Sequence, residues 1–201
     1  MATHTAKSLF DLNIQSSEEM IKLYDGIEKL GVKLEITWLL RAVVVFSVSA
    51  LDAYFHDKVK YRAGKFDLQD MPPSLAKLEI PLGDLTKWEE SKRKGNVIRN
   101  WLVEHYSTIP LQRKEAINDA LKLVGIDSVW AKIEPKTPAM KQMLEEMQGY
   151  IKRRNQVAHE GDRESSRKSG KKLRAVDRQY AEGCMNFVKG IVAKIEHAFP
   201  N

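Results

Sequence analysis

The stretch from Ile36 to Phe55 constrains this chain more than any other. It is apolar almost all round, at a length that could cross a bilayer, yet it carries Arg41 and Asp52, each costly in hydrocarbon. The better reading is a helix of about Glu35 to Tyr61, buried on most sides up to Leu51 and amphipathic beyond. Such a helix needs other helices laid around it. The rest of the chain supplies them, because its apolar residues recur at helical spacing and no alternating strand pattern persists.

A first helix is predicted from Ser16 to Leu30, capped by Ser16 or Ser17, stopped by Gly31 and striped by Met20, Leu23, Ile27 and Leu30. Gly64 and Pro72-Pro73 close the first half. Residues 64–135 read as a helical insertion, with Asn96 to Tyr106 and Lys114 to Val124 as its clearest helices. A third long helix runs from Pro138 to about Ala158, with the stripe Met140, Met143, Met147, Tyr150 leading to Arg154. After a flexible basic loop over residues 160–175, a last helix spans Val176 to Phe199, with Phe187, Ile191, Ile195 and Phe199 in register. The fold class expected is all-α: one domain, residues 1–201, built as a four-helix bundle with additions between its second and third core helices.

The single cysteine, Cys184, falls in an apolar helical pattern, so no disulfide framework is available and a reducing, cytoplasmic setting is the simplest assignment. Met1 to Asp11 holds no secretory pattern, and no membrane partner is expected. Charge is more telling. Residues 152–178 hold ten Lys/Arg against four Asp/Glu, an excess equal to the whole chain's +6. A local positive field of this kind concentrates a polyanion. Few aromatics interleave with it, so no stacking platform for single strands is evident.

That charge surrounds the run Arg154-Asn155-Gln156-Val157-Ala158-His159. It sets a permanently charged guanidinium and an imidazole near the end of a helix. At about 100° per residue, Arg154 and His159 lie about 140° apart, whereas Asn155 and His159 share a face. The pair converges only if the helix frays near Ala158 or the arginine wraps round. Gly161 can take the left-handed conformation that ends the helix. On the second helix, Ala50-Leu51-Asp52-Ala53-Tyr54-Phe55-His56-Asp57 adds an acid, a phenol and an imidazole, with Asp52 and His56 on one side. A carboxylate there could orient either member of the Arg/His pair. Read without a function, Arg154 pairs with a carboxylate, His159 answers the helix dipole, and Tyr54 and His56 pack at a helix end.

The Arg154-Asn155 and His159 spacing resembles the Arg-polar-(three to five residues)-His signature of the HEPN superfamily of helical ribonucleases. The Ala50 to Asp57 stretch is similar to the second-helix motif of its RiboL-PSP-HEPN branch. So are Leu111 to Trp130, including Ala120-Leu121-Lys122-Leu123-Val124-Gly125-Ile126, and Arg153 to Asp162. The likeness extends from about Arg41 to Phe199. It implies a metal-independent endoribonuclease acting as a homodimer, in which a 2′-hydroxyl attacks the adjacent phosphate and leaves a cyclic phosphate and a 5′-hydroxyl. His159 would move protons, Arg154 would stabilise the phosphorane, and Asn155 would hold His159 or the phosphate. Asp52, His56 and Tyr54 would support them, and Lys152, Arg153, Arg163, Arg167, Lys168, Lys171 and Lys172 would bind RNA. No cofactor is implied, and no His/Asp/Glu/Cys set stands at metal-ligand spacing. Defence, stress response or a toxin-antitoxin system is the expected setting, with an antitoxin or regulatory protein as a possible partner. Nucleotidyltransferase-silenced HEPN toxins often carry a tyrosine two residues after the histidine. Gly161 stands there, so modification at that position is not implied. The alternatives are a non-catalytic HEPN-type module binding RNA, nucleotide or a protein, and an interaction or immunity protein whose basic loop docks on an acidic partner.

Overall fold

The computed structural model describes residues 4–31, 33–66, 70–79, 81–92, 94–106, 108–164 and 172–200. Among them nine helices form: α1 (Ala6–Lys29), α2 (Thr37–Ala63), α3 (Pro73–Ala76), α4 (Leu82–Glu90), α5 (Lys94–Tyr106), α6 (Lys114–Leu123), α7 (Val129–Ile133), α8 (Thr137–Glu160) and α9 (Arg178–Ala198). The protein is all-α. Its described residues contain no strand, only an isolated antiparallel bridge between Arg163 and Leu173.

α2 is the axis of the molecule, packed against α1, α5, α6, α8 and α9. Leu40, Val43, Val44, Val48, Leu51, Tyr54 and Phe55 are buried in one apolar cluster. Its length and composition are sufficient for a membrane span, but more than half of its most apolar window lies inside the protein. The hydrophobic effect is thus satisfied by neighbouring helices, as expected of a central core helix.

α1 starts ten residues before the predicted cap. The Ser8 amide donates to the Thr5 hydroxyl oxygen at 3.1 Å, and the Thr5 amide donates to Ser8 Oγ at 2.9 Å. This is a capping box with serine in the place usually held by Glu or Gln. The earlier start changes the buried face to Phe10, Ile14, Ser17 and Ile21. Leu23 and Leu30, expected in the core, are 51% and 76% exposed. Ser17, expected as a cap, is fully buried and meets Ser47 of α2 at 3.2 Å, small side chains that let the two helices approach.

Residues between α2 and α8 share the same core. Ile98, Leu102, Leu111, Ile117, Leu121, Val129 and Trp130 all join it, and the Trp130 ring meets Phe55 edge-on at 6.4 Å. Arg62 Nε also donates to the Val124 carbonyl, tying α2 to α6. One close approach demands glycine: a Cβ at Gly95 would lie 2.5 Å from the Gly64 carbonyl oxygen.

α8 opens with Thr137-Pro138 and continues two residues past the predicted end, so it does not fray at Ala158. Gly161, at φ 61°, closes it as expected. Its buried line is Met143, Met147 and Ile151, with Met140 and Tyr150 half-buried. α9 begins after the cap Asp177, whose carboxylate accepts from the Tyr180 amide at 2.7 Å. Cys184 on α9 is a free core thiol, and burial pushes its pKa up to about 12.

Candidate active site

Arg154 follows Ile151 by three residues, so the last turns of α8 carry it from the core to the edge of a cleft of about 1000 Å3. Arg154, Asn155 and His159 all line that cleft. The helix remains regular between them, so convergence comes from the side chain. Arg154 Nη1 donates to Asn155 Oδ1 at 3.0 Å, which swings the guanidinium toward the face that Asn155 shares with His159. Arg154 Nε is buried with no partner among the described residues. Asn155 thus orients the guanidinium, and with Nε sealed from solvent it is the outer nitrogens that a ligand in the cleft could meet.

Asp52 lines the same cleft from α2, yet it does not orient Arg154 or His159. Its Oδ1 accepts the Leu111 amide at 2.6 Å and lies 4.0 Å from His56 Nε2. His56 bonds to the backbone of Ile109. The two side chains therefore anchor residues 109–111, the wall opposite α8. Burial holds the His56 imidazole below its ordinary range, with Lys60 adding to the effect while Asp52 and Asp57 oppose it.

Tyr54, expected to support the site, belongs to the core instead. It is fully buried, its ring packs on Phe10 and Phe55, and its hydroxyl donates to Glu196 Oε1 at 2.7 Å. Two residues on from Asp52, it points away from the cleft because a helix turns about 200° over that interval. Lys58 Nζ reaches the same Glu196 at 2.9 Å and the Phe199 carbonyl at 2.7 Å, which satisfies a lysine buried in the core.

The basic run divides. Lys152 lines the cleft. Arg153 does not: its Nη1 pairs with Asp162 at 2.9 Å and its Nη2 donates to the Ala175 carbonyl at 2.9 Å, so the structure employs this predicted RNA contact internally. Arg41 Nε meets the same carboxylate at 2.6 Å, and Arg41 Nη2 donates to the Arg174 carbonyl at 2.8 Å. Asp162 is fully buried at φ 57°, and its amide donates to the Gln156 carbonyl. This cluster pins the chain three residues after His159. The loop expected to be flexible is thus paired at both described ends, with the Glu164 amide donating to Lys172 and the Arg174 amide to Asp162. Arg163 and Lys172 are exposed on that paired segment, outside the cleft, and Lys172 Nζ lies 3.5 Å from Glu164. Arg167, Lys168 and Lys171 lie outside the described residues.

Sequence reasoning passed over Gln112, Arg113 and Gln148, which complete the cleft. The available signal was an arginine directly before the start of α6 at Lys114. Arg113, Lys152 and Arg154 outnumber its two carboxylates, Asp52, which accepts the Leu111 amide, and Glu160, which meets Arg174 Nη2 at 3.2 Å. A cleft of that sign is suited to an anion.

Comparison with curated proteins and with solved structures finds no match. The family comparison is decisive: over residues 11–198 the chain matches the RiboL-PSP-HEPN model, and with its all-α bundle it belongs to that HEPN family.

Proposed function

We propose that this HEPN protein is an endoribonuclease that works without a metal ion at the Arg154/His159 cleft. The observation that carries the reading is the shared cleft itself: Arg154, Asn155 and His159 face one space, with the Arg154 guanidinium oriented by Asn155. About 1000 Å3 is ample for a nucleotide pair, since ligand sites for small molecules are commonly about 300–1000 Å3.

The reaction needs three things of the protein. A base must remove the 2′-hydroxyl proton as that oxygen attacks phosphorus. A cation must answer the added negative charge on the phosphorane. An acid must protonate the 5′-oxygen as its bond to phosphorus breaks, leaving a 2′,3′-cyclic phosphate and a free 5′-hydroxyl. Imidazole suits either proton role and Arg154 suits the charge. One histidine cannot be base and acid in the same step. A homodimer that faces two clefts supplies both, with His159 of a second copy taking the complementary role. The proposed setting is cytoplasmic defence, stress response or a toxin-antitoxin system, under the control of an antitoxin or regulatory protein.

Purified protein incubated with total RNA and transfer RNA in excess chelator is expected to yield cyclic-phosphate and 5′-hydroxyl ends. His159→Ala is expected to lower cleavage by about 10²–10⁴-fold, and Arg154→Ala by about 10²–10³-fold. Cleavage that persists at the parent rate in both variants overturns the assignment. Salt-sensitive RNA binding with no turnover in the parent protein would instead make this chain a binding module.

A further inference from the structure

The wall of the cleft opposite α8 is built like an anion site in its own right. α6 begins there, with Arg113 as its N-cap in extended conformation and no side chain capping the turn. The first backbone bond of this helix is Ile117 N–H to the Arg113 carbonyl at 2.9 Å. The amides of Lys114, Glu115 and Ala116 precede it and are orphan donors at the positive end of a ten-residue helix. Ala116 lines the cleft while Lys114 and Glu115 line the adjoining groove, so this turn stands between the two.

A second, independent observation points to a ligand. Gln112 is only 9% exposed, yet it lines the cleft and its carboxamide makes no hydrogen bond among the described residues. The side chain is held deep while its amide tip is open to the cleft, so its partners are whatever enters that space. Its placement is not slack in the chain, because the neighbouring Leu111 amide is clamped by Asp52 at 2.6 Å. Arg113 adds a guanidinium and lies, with Gln148, between this cleft and an adjoining groove of about 720 Å3. Glu115, the acid of the first turn, lines that groove and not the cleft.

We infer that Gln112, Arg113 and the N-terminal turn of α6 form a second phosphate subsite, which holds the RNA phosphodiester next to the one at Arg154 and His159. The identity of the ligand as RNA rests on the proposed function; the anion site does not. Substrate would then be gripped at two successive phosphates, with the chain leaving along the Arg113/Gln148 groove.

The test uses the full chain in a His159→Ala background, which stops turnover. In nitrogen-15 spectra, inorganic phosphate is expected to shift the Lys114, Glu115 and Ala116 amides and the Gln112 side-chain amide. Arg113→Ala is expected to abolish those shifts, and Arg113→Lys to retain them in part. The trinucleotide UpUpU is expected to bind about tenfold more tightly than UpU, and Arg113→Ala to erase that gain, the size of one charge-assisted contact. Silent α6 amides overturn the subsite even if the parent protein cleaves RNA. Phosphate-induced shifts without any UpUpU advantage overturn its assignment to RNA and mark a site for free phosphate. If the parent protein proves inactive while both responses appear, the ribonuclease reading fails and the subsite stands as that of an RNA-binding module.

Discussion

At the scale of single residues, His56 ties stability to pH. Burial disfavours its imidazolium in the folded protein, so its folded pKa lies below the ordinary value of 6.5, whereas the unfolded chain takes up the proton near 6.5. The unfolded state therefore binds more protons in the interval between the two values. The contribution of His56 is fully present above about pH 6.5 and is lost as the pH falls through that value toward the folded one. Urea midpoints measured at pH 7.5 and 5.0 are expected to fall further in the parent than in His56→Gln. Equal losses would show that His56 contributes nothing to the slope. The pairing of Asp52 with His56 was legible from their spacing on one helix. Their joint task was not, because Leu111 and Ile109, which they anchor, are more than fifty residues away in the chain.

Helices are held to one another by a few polar clasps, and Asp162 is the principal one. It accepts Arg41 from α2 and Arg153 from α8 while its own backbone caps the end of α8. Asp162→Ala would leave two largely buried guanidinia facing each other without a counterion. The expected cost is about 3–5 kcal/mol in urea unfolding, together with loss of His159-dependent cleavage as the segment behind it loosens. A cost below about 1 kcal/mol would mean that water replaces the carboxylate freely. At the other end of the molecule, Thr5→Ala removes the hydroxyl that caps α1 and is expected to cost about 1 kcal/mol, read from the urea midpoint. An unchanged midpoint would show that the first turn of α1 frays without consequence. The bounds of α2, α5, α6 and α9 are within about two residues of the periodicity, the ordinary margin for helix ends. α1 escaped because Ser8 stands in its capping box where an acid or amide is the familiar signal.

For the whole molecule, the proposed chemistry sets the assembly. If acid and base come from two copies, light scattering is expected to give twice the chain mass of 23.0 kDa, and specific activity is expected to fall on dilution as the dimer dissociates. A monomer that cleaves with constant specific activity would confine the chemistry to a single cleft.

What the sequence determined by itself was local: helices, their stops, the central position of α2, and the placing of Arg154, Asn155 and His159 on one helix end. Those features depend on hydrogen bonds and side-chain directions set within about four residues. Which cations remain available to a ligand was decided only by packing. Arg153 and Arg154 are adjacent and chemically alike, yet one is taken by a carboxylate nine residues on while the other lines the cleft with no carboxylate partner among the described residues. Tyr54 likewise went to Glu196, and Gln112 and Arg113 came to the cleft from the turn before α6. The reason is physical: a charge or hydrogen-bonding group acts on whatever lies within a few ångströms, and in this protein those neighbours are up to 171 residues apart in the chain.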